Sequence, residues 1–217
     1  MAKVLGLTGG IATGKSTVSA ILSDRAAIVD ADRLAREIVE PDQETWREIV
    51  ALFGPEALRE DRTLDRAYIR GVIFQDPPRR KRLEAITHPR IRALARQRIV
   101  EHSREHDFVI YDAPLLFEAK IHHWLRPVIL VACRRDVQEE RLRQRDGLDD
   151  SAIQRHLKAQ MSLTEKRRLA DFVIDNDGTL AELERTVAGV WEAVVATSPA
   201  RYIFLRTDPP ESGHRSE

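Results

Sequence analysis

The sequence predicts an α/β protein built on a parallel sheet, and three observations carry the prediction. Short apolar runs occupy residues 4–7, 26–29, 108–111, 128–132 and 172–175. Segments of helical period separate them, and a glycine-rich stretch joins the first run to the first helical segment. Continuous apolar runs of this length suit strands buried on both faces, as in a parallel sheet.

The glycine-rich stretch is Gly9-Gly10-Ile11-Ala12-Thr13-Gly14-Lys15-Ser16-Thr17. It satisfies G-x-x-x-x-G-K-[ST], between a strand and a helix, which is the context a phosphate-binding loop requires. The glycines open backbone conformations in which several N–H groups converge on phosphate oxygens, and the helix starting near Lys15 points its positive end at them. Residues 10–17 are therefore expected to bind a nucleoside triphosphate: Gly10, Ile11, Ala12, Thr13, Gly14, Lys15, Ser16 and Thr17. Lys15 supplies charge to the β and γ phosphates, and the Ser16 hydroxyl contributes to a Mg²⁺ site.

The second run ends in Asp30-Ala31-Asp32. Ligands of open α/β sheets bind at the carboxyl ends of strands, so these acids are site candidates. One of the pair is expected to cap the following helix, a role that accounts for one acid and not for both.

Residues 33–106 show helical spacing without a strand-like run, too long for a plain crossover, and are expected to be an insertion covering a substrate. Arg79, Arg80, Lys81, Arg82, Arg90, Arg92, Arg96 and Arg98 make it basic. A solvated helix face is the ordinary reason for such a run; beside a phosphate loop it also suits an anionic second substrate. His88-Pro89 predicts a bend at His88.

The third run leads into Asp112-Ala113-Pro114-Leu115-Leu116-Phe117-Glu118. An acid at the end of this strand suits Mg²⁺ and its waters, and could also bond Lys15. After the fourth run come Arg134, Arg135, Arg141, Arg143, Arg145 and Arg155, in a stretch predicted helical to about residue 160. Arginines here are suited to close over a triphosphate. The last run ends in Asn176-Asp177-Gly178, a turn whose amide could also read a purine edge, and Thr179 or Asp177 is expected to cap a final helix through about residue 195. Residues 198–217 are expected to form a loose tail in which residues 202–205 pack locally.

Composition narrows the class of function. Of 217 residues, 42% are hydrophobic and 32% charged, ordinary for a soluble protein. Lys+Arg and Asp+Glu both number 35, so no overall field recruits nucleic acid or an acidic membrane. Cys133 is the single cysteine, which excludes an internal disulfide or a cysteine metal cage and fits a reducing compartment. No apolar run approaches membrane-spanning length, and the expectation is a cytoplasmic protein, monomeric or weakly self-associating.

The combination resembles the dephospho-coenzyme A kinase family. The resemblance rests on residues 7–11 with the loop, Val29-Asp30-Ala31-Asp32, His88-Pro89-Arg90-Ile91-Arg92, residues 112–118 and Ala170-Asp171-Phe172-Val173-Ile174-Asp175-Asn176. It implies a P-loop kinase fold with a five-stranded parallel sheet of order 2-3-1-4-5, core segments 1–32, 107–133 and 170–197, a helical coenzyme-binding insertion and a lid at 134–169. The implied reaction moves the ATP γ-phosphoryl to the ribose 3′-hydroxyl of dephospho-CoA. Asp32 would be the general base, Lys15 and Arg145 would act on the phosphates, and Ser16 and Asp112 would hold Mg²⁺. Thr8, His88, Leu115 and Glu118 would face the acceptor, and Asn176 the adenine.

A nucleoside or nucleotide kinase shares this core, insertion and lid, and is the alternative within kinases. A GTPase-type switch fits poorly: Asp112-Ala113-Pro114-Leu115 lacks the glycine of a D-x-x-G turn, and Asn176, the sole asparagine, is followed by Asp177 rather than by a guanine-reading N-K-x-D.

Overall fold

Strand β1 (Lys3–Gly9) runs through the middle of the molecule's sheet, buried from Val4 onward. A computed structural model describes residues 2–204. The chain forms two compact units: Asp30–Arg98 is one, and the residues before and after it form the other.

In the first unit, β1 pairs in parallel with β3 (Phe108–Asp112) and with β5 (Val128–Ala132), and β5 pairs in parallel with β6 (Phe172–Asp175). With β2 (Ala27–Asp30) at one edge, the five-stranded order is β2-β3-β1-β5-β6. The label β4 falls on an unpredicted two-residue strand, Leu125–Arg126, outside this sheet. Counted without it, the order is the expected 2-3-1-4-5. All of β5 is buried, which is why it reads as an unbroken apolar run.

Helix α1 (Lys15–Leu22) buries Val18 and Leu22 against the sheet cluster of Leu5, Leu7, Ile110, Ile129 and Ile174. The final helix of the chain, Leu180–Ala196, adds Leu183, Val187, Trp191 and Val194 to the same cluster, one stripe at helical spacing. Thr179 caps that helix in a capping box with Glu182, whereas the Asp177 carboxylate accepts the Arg134 N–H at 2.6 Å.

Three helices occupy residues 134–169, where one continuous run to about residue 160 was expected. The first, α6 (Arg135–Asp146), ends at Gly147, whose φ of 63° lies in the left-handed region that glycine tolerates. Asp149 then caps α7 (Asp150–Lys158), and Ser162 with Glu165 forms a capping box on α8 (Leu163–Leu169).

The second unit has its own core: Trp46, Ile49, Phe53, Ala57, Leu64 and Ile69 cluster between α3 (Glu44–Phe53) and α4 (Arg66–Gln75). It begins with α2 (Ala31–Glu37). The long helix α5 (Pro77–His102) continues through Pro89. The helix is thus not broken where the bend at His88 was expected: the proline ring removes one donor, and the helix persists around it. Four arginines of the basic run on α5 have acidic partners. Arg79 pairs with Asp76, Arg80 with Glu84, Arg90 with Glu48 at 2.5 Å, and Arg98 with Glu37 at 2.7 Å.

The beginning of the expected tail is ordered. Ile203 and Phe204 pair antiparallel with β4, and the Tyr202 hydroxyl donates to the Val194 carbonyl at 2.5 Å. Leu205 and the rest of the tail lie outside the described residues. No helix among the described residues is long and apolar enough to cross a membrane.

Candidate active site

The phosphate loop leaves the carboxyl end of β1 and closes onto α1 through two residues of left-handed backbone. Gly14 has φ 85° and Ala12 has φ 58°. Gly14 is required twice over, because a Cβ there would also collide with Asn176 Nδ2. Inside the loop, the buried Thr13 hydroxyl donates to the Gly10 carbonyl at 2.9 Å.

Side chains from distant parts of the chain hold the loop from outside. Gln138 on α6 donates through Nε2 to the Ile11 carbonyl at 2.6 Å, and Gln160 accepts the Ile11 N–H through Oε1 at 3.0 Å. Asn176, just past β6, donates through Nδ2 to the Thr13 carbonyl at 2.9 Å. Its buried amide thus braces the loop. Sequence reasoning singled out Asn176 for the adenine and passed over both glutamines.

Lys15 and Asp112 form the central charge pair, Nζ to Oδ1 at 2.6 Å. The strand register places Asp112 beside Leu7 in the last pair of the ladder, so the Lys15 side chain spans from α1 to the end of β3. Asp112 is 3% exposed. Ser16 and Thr17 are exposed in the first turn of α1. For a cation held mainly by a bound triphosphate, a hydroxyl and a carboxylate acting through water are an apt donor set, and no cage of His, Cys, Asp and Glu is needed. Among the described residues no such cage occurs.

A cavity of about 720 Å³ opens over residues 10–17 and is walled by Arg141, Gln144 and Arg145 of α6, by Gln160, and by Asn176 and Leu180. Gln138, Arg141 and Arg145 follow at steps of three and four along α6, so one helix face carries them all. Arg145 is exposed and forked onto Asp146, with contacts of 2.8 and 2.7 Å that raise its pKa. Arg141 leaves Nη1 buried without a hydrogen-bond partner among the described residues, at the wall of a cavity suited to an anion. Arg145 is the arginine the family resemblance implied for the phosphates, whereas the sequence had not separated Arg141 from its neighbours. Arg134, Arg135 and Arg143 pair instead with Asp136, Glu139 and Asp150, respectively.

On the turn after β3, Leu115 is exposed, and the buried Thr8 hydroxyl donates to the Pro114 carbonyl at 3.2 Å. Glu118 Oε1 accepts the Met161 N–H and pairs with the fully buried Lys166, both at 3.0 Å. Lys166 was not anticipated, although the Ser162–Glu165 capping pattern was available to reveal its helix.

In the second unit, Asp30 caps α2, its Oδ1 accepting the N–H groups of Asp32 and Arg33 at 2.8 and 3.2 Å. Asp32 is exposed in the first turn, its carboxylate without a hydrogen bond or ion pair among the described residues. Asp30 is therefore the capping acid of the pair. His88 is exposed on α5.

A parallel sheet of this order, a braced phosphate loop and a lysine–aspartate pair at the neighbouring strand end define a P-loop nucleotide-binding kinase fold. The dephospho-CoA kinase family model matches residues 3–182. A dephospho-CoA kinase of Anaeromyxobacter dehalogenans is 47% identical over 178 residues, covering 81% of this chain and 84% of the relative. The solved structure of TT1252 from Thermus thermophilus is 37% identical with a TM-score of 0.76, covering 91% of this chain and 99% of that one. A dephospho-CoA kinase structure from Campylobacter jejuni is 27% identical with a TM-score of 0.68, covering 89% and 98%. The chain belongs to the dephospho-CoA kinase family.

Proposed function

We propose that this chain transfers the γ-phosphoryl of ATP to the ribose 3′-hydroxyl of dephospho-CoA, giving coenzyme A and ADP, the last step of coenzyme A synthesis. The observation that carries this reading is the family match across residues 3–182, which spans the phosphate loop, Asp32, His88 and the turn after β3.

Phosphoryl transfer requires alignment and charge neutralisation more than covalent participation by the protein. Residues 10–17 bind the triphosphate through backbone N–H groups, with Lys15 on the β and γ oxygens. Arg141 and Arg145, on one face of α6, neutralise charge that develops on the transferred group. Asn176 borders the adenine while bracing the loop. Asp32 takes the proton from the attacking hydroxyl; it is the acid left available once Asp30 is spent on capping. Thr8, His88, Leu115 and Glu118 serve the acceptor side. Ser16, and Asp112 through water, would hold Mg²⁺, which when bound neutralises charge on the β and γ oxygens. The enzyme works in the cytoplasm as a monomer or weak homo-oligomer, with small-molecule substrates and no nucleic-acid or membrane partner.

The test is a panel of acceptors assayed with ATP and Mg²⁺: dephospho-CoA, nucleosides, nucleoside monophosphates and shikimate. Dephospho-CoA is expected to give the highest kcat/KM by a wide margin. Comparable turnover of a nucleoside or nucleotide would replace this reading with a kinase of that class.

A further inference from the structure

Lys166 lies on α8 with 0% of its surface exposed. A buried ammonium carries a large desolvation penalty, which is offset only when acceptors for all its donors are in place. Here they are: Nζ reaches the Gly9 carbonyl at 3.2 Å, the Pro114 carbonyl at 3.1 Å and Glu118 Oε1 at 3.0 Å. Three donors meet three acceptors, one at the end of β1 and two on the turn after β3. Gly9 is the last residue of β1, where the phosphate loop begins. Pro114 follows Asp112 by two residues, and Glu118 closes the same turn while accepting the Met161 N–H. Lys166 does not line the nucleotide cavity. An apolar side chain would fill the same space without the desolvation penalty, so packing alone gives no reason for a charge.

We propose that Lys166 is a positioning residue for phosphoryl transfer. Its ammonium fixes the start of the phosphate loop against the turn that follows Asp112 and carries Glu118, and thereby keeps the Lys15–Asp112 pair in register with the loop's N–H groups. It acts through these groups and not on the phosphates. Its loss should therefore appear in kcat, since small misplacements of reacting groups are costly in rate, and only weakly in ATP affinity.

This role rests on the kinase activity proposed above, and the two fail separately. Wild-type turnover of dephospho-CoA tests the activity; the ratio of variant to wild-type kcat tests Lys166. Full-length Lys166→Met and Lys166→Ala are compared with wild type in melting temperature, ATP dissociation constant, kcat and KM, well below each melting point. The expected result is a fall in kcat on the order of 10- to 100-fold, with the ATP dissociation constant changed by less than about threefold. The double variant Lys166→Met/Glu118→Gln removes the carboxylate left without its counter-charge. It should recover melting temperature relative to Lys166→Met, yet keep a kcat about tenfold or more below that of Glu118→Gln alone. A kcat within about twofold of wild type in a folded single variant would overturn the proposal. So would a loss of ATP affinity matching the loss of kcat, a double variant as active as Glu118→Gln, or failure of every Lys166 variant to fold.

Discussion

Lys15 Nζ lies 2.6 Å from Asp112 Oδ1, joining two residues 97 positions apart in sequence. The pair couples the first turn of α1 to the end of β3, and its side chains are 19% and 5% exposed. Such a pair tolerates loss of either partner poorly, because the survivor is left charged and largely desolvated.

Lys15→Ala should therefore fail in two ways. Transition-state stabilisation falls, with kcat/KM for ATP lower by roughly 10²–10³. Stability falls as well, because the buried Asp112 carboxylate loses its ion pair with Lys15. Steady-state kinetics and urea unfolding check the two effects separately, and an unchanged kcat/KM would displace the triphosphate from Lys15.

The neighbouring acids Asp30 and Asp32 should separate cleanly. Asp32→Asn is expected to lower turnover by roughly 10²–10⁴ while ATP still binds. Asp30→Ala removes the α2 cap and should cost about 1 kcal/mol of stability. Turnover assays with ATP binding, and thermal or urea melts, make the comparison. Near-normal turnover in Asp32→Asn removes it from the base role.

Two loop substitutions should have opposite signs. Ala12 holds φ 58°, a conformation glycine adopts without a Cβ penalty, so Ala12→Gly should stabilise the protein by about 1 kcal/mol with ATP binding retained. Gly14→Ala places a Cβ against Asn176 Nδ2 at φ 85°. It should destabilise by about 2 kcal/mol or more and abolish measurable ATP binding. Calorimetric titration of ATP and melting curves on both variants test the pair.

Cys133 sets an alkaline limit. Burial, opposed in part by the nearby Arg141, pushes its thiol from the ordinary 9.0 up to about 11. The folded state thus holds this proton more tightly than the unfolded chain. The resulting stabilisation is fully present below pH 9.0 and is lost as pH rises toward about 11. Because other groups titrate in this range, the measurement is a difference: wild type should lose on the order of 2 kcal/mol more than Cys133→Ala between those limits. Equal slopes for the two proteins would contradict it.

How much of this was legible in the sequence follows from the range over which each signal acts. The five parallel strands declare themselves because burial on both faces forces unbroken apolar runs such as residues 128–132. The phosphate loop does so because its backbone needs glycine at fixed places. The division of labour between Asp30 and Asp32 was foreseeable as a cap, although not which acid would take it. Gln138 and Gln160 stayed hidden: they grip Ile11 from 127 and 149 residues away, and neither contact leaves a local pattern. The partners of the basic run were hidden for the same reason, since Arg90 and Arg98 are answered by Glu48 and Glu37 on other helices. The breaks between α6, α7 and α8 were legible in principle, from Gly147 and from Ser162 with Glu165, but were masked by the run of arginines.

The reaction itself is tested most directly by locating the phosphoryl group after wild-type turnover of dephospho-CoA with ATP and Mg²⁺. Phosphorus NMR and mass spectrometry of the purified product should show one added phosphomonoester on the ribose 3′-oxygen, formed in equal amount with ADP. A phosphoryl group at any other position, or ADP released without a phosphorylated acceptor, would contradict the assigned function.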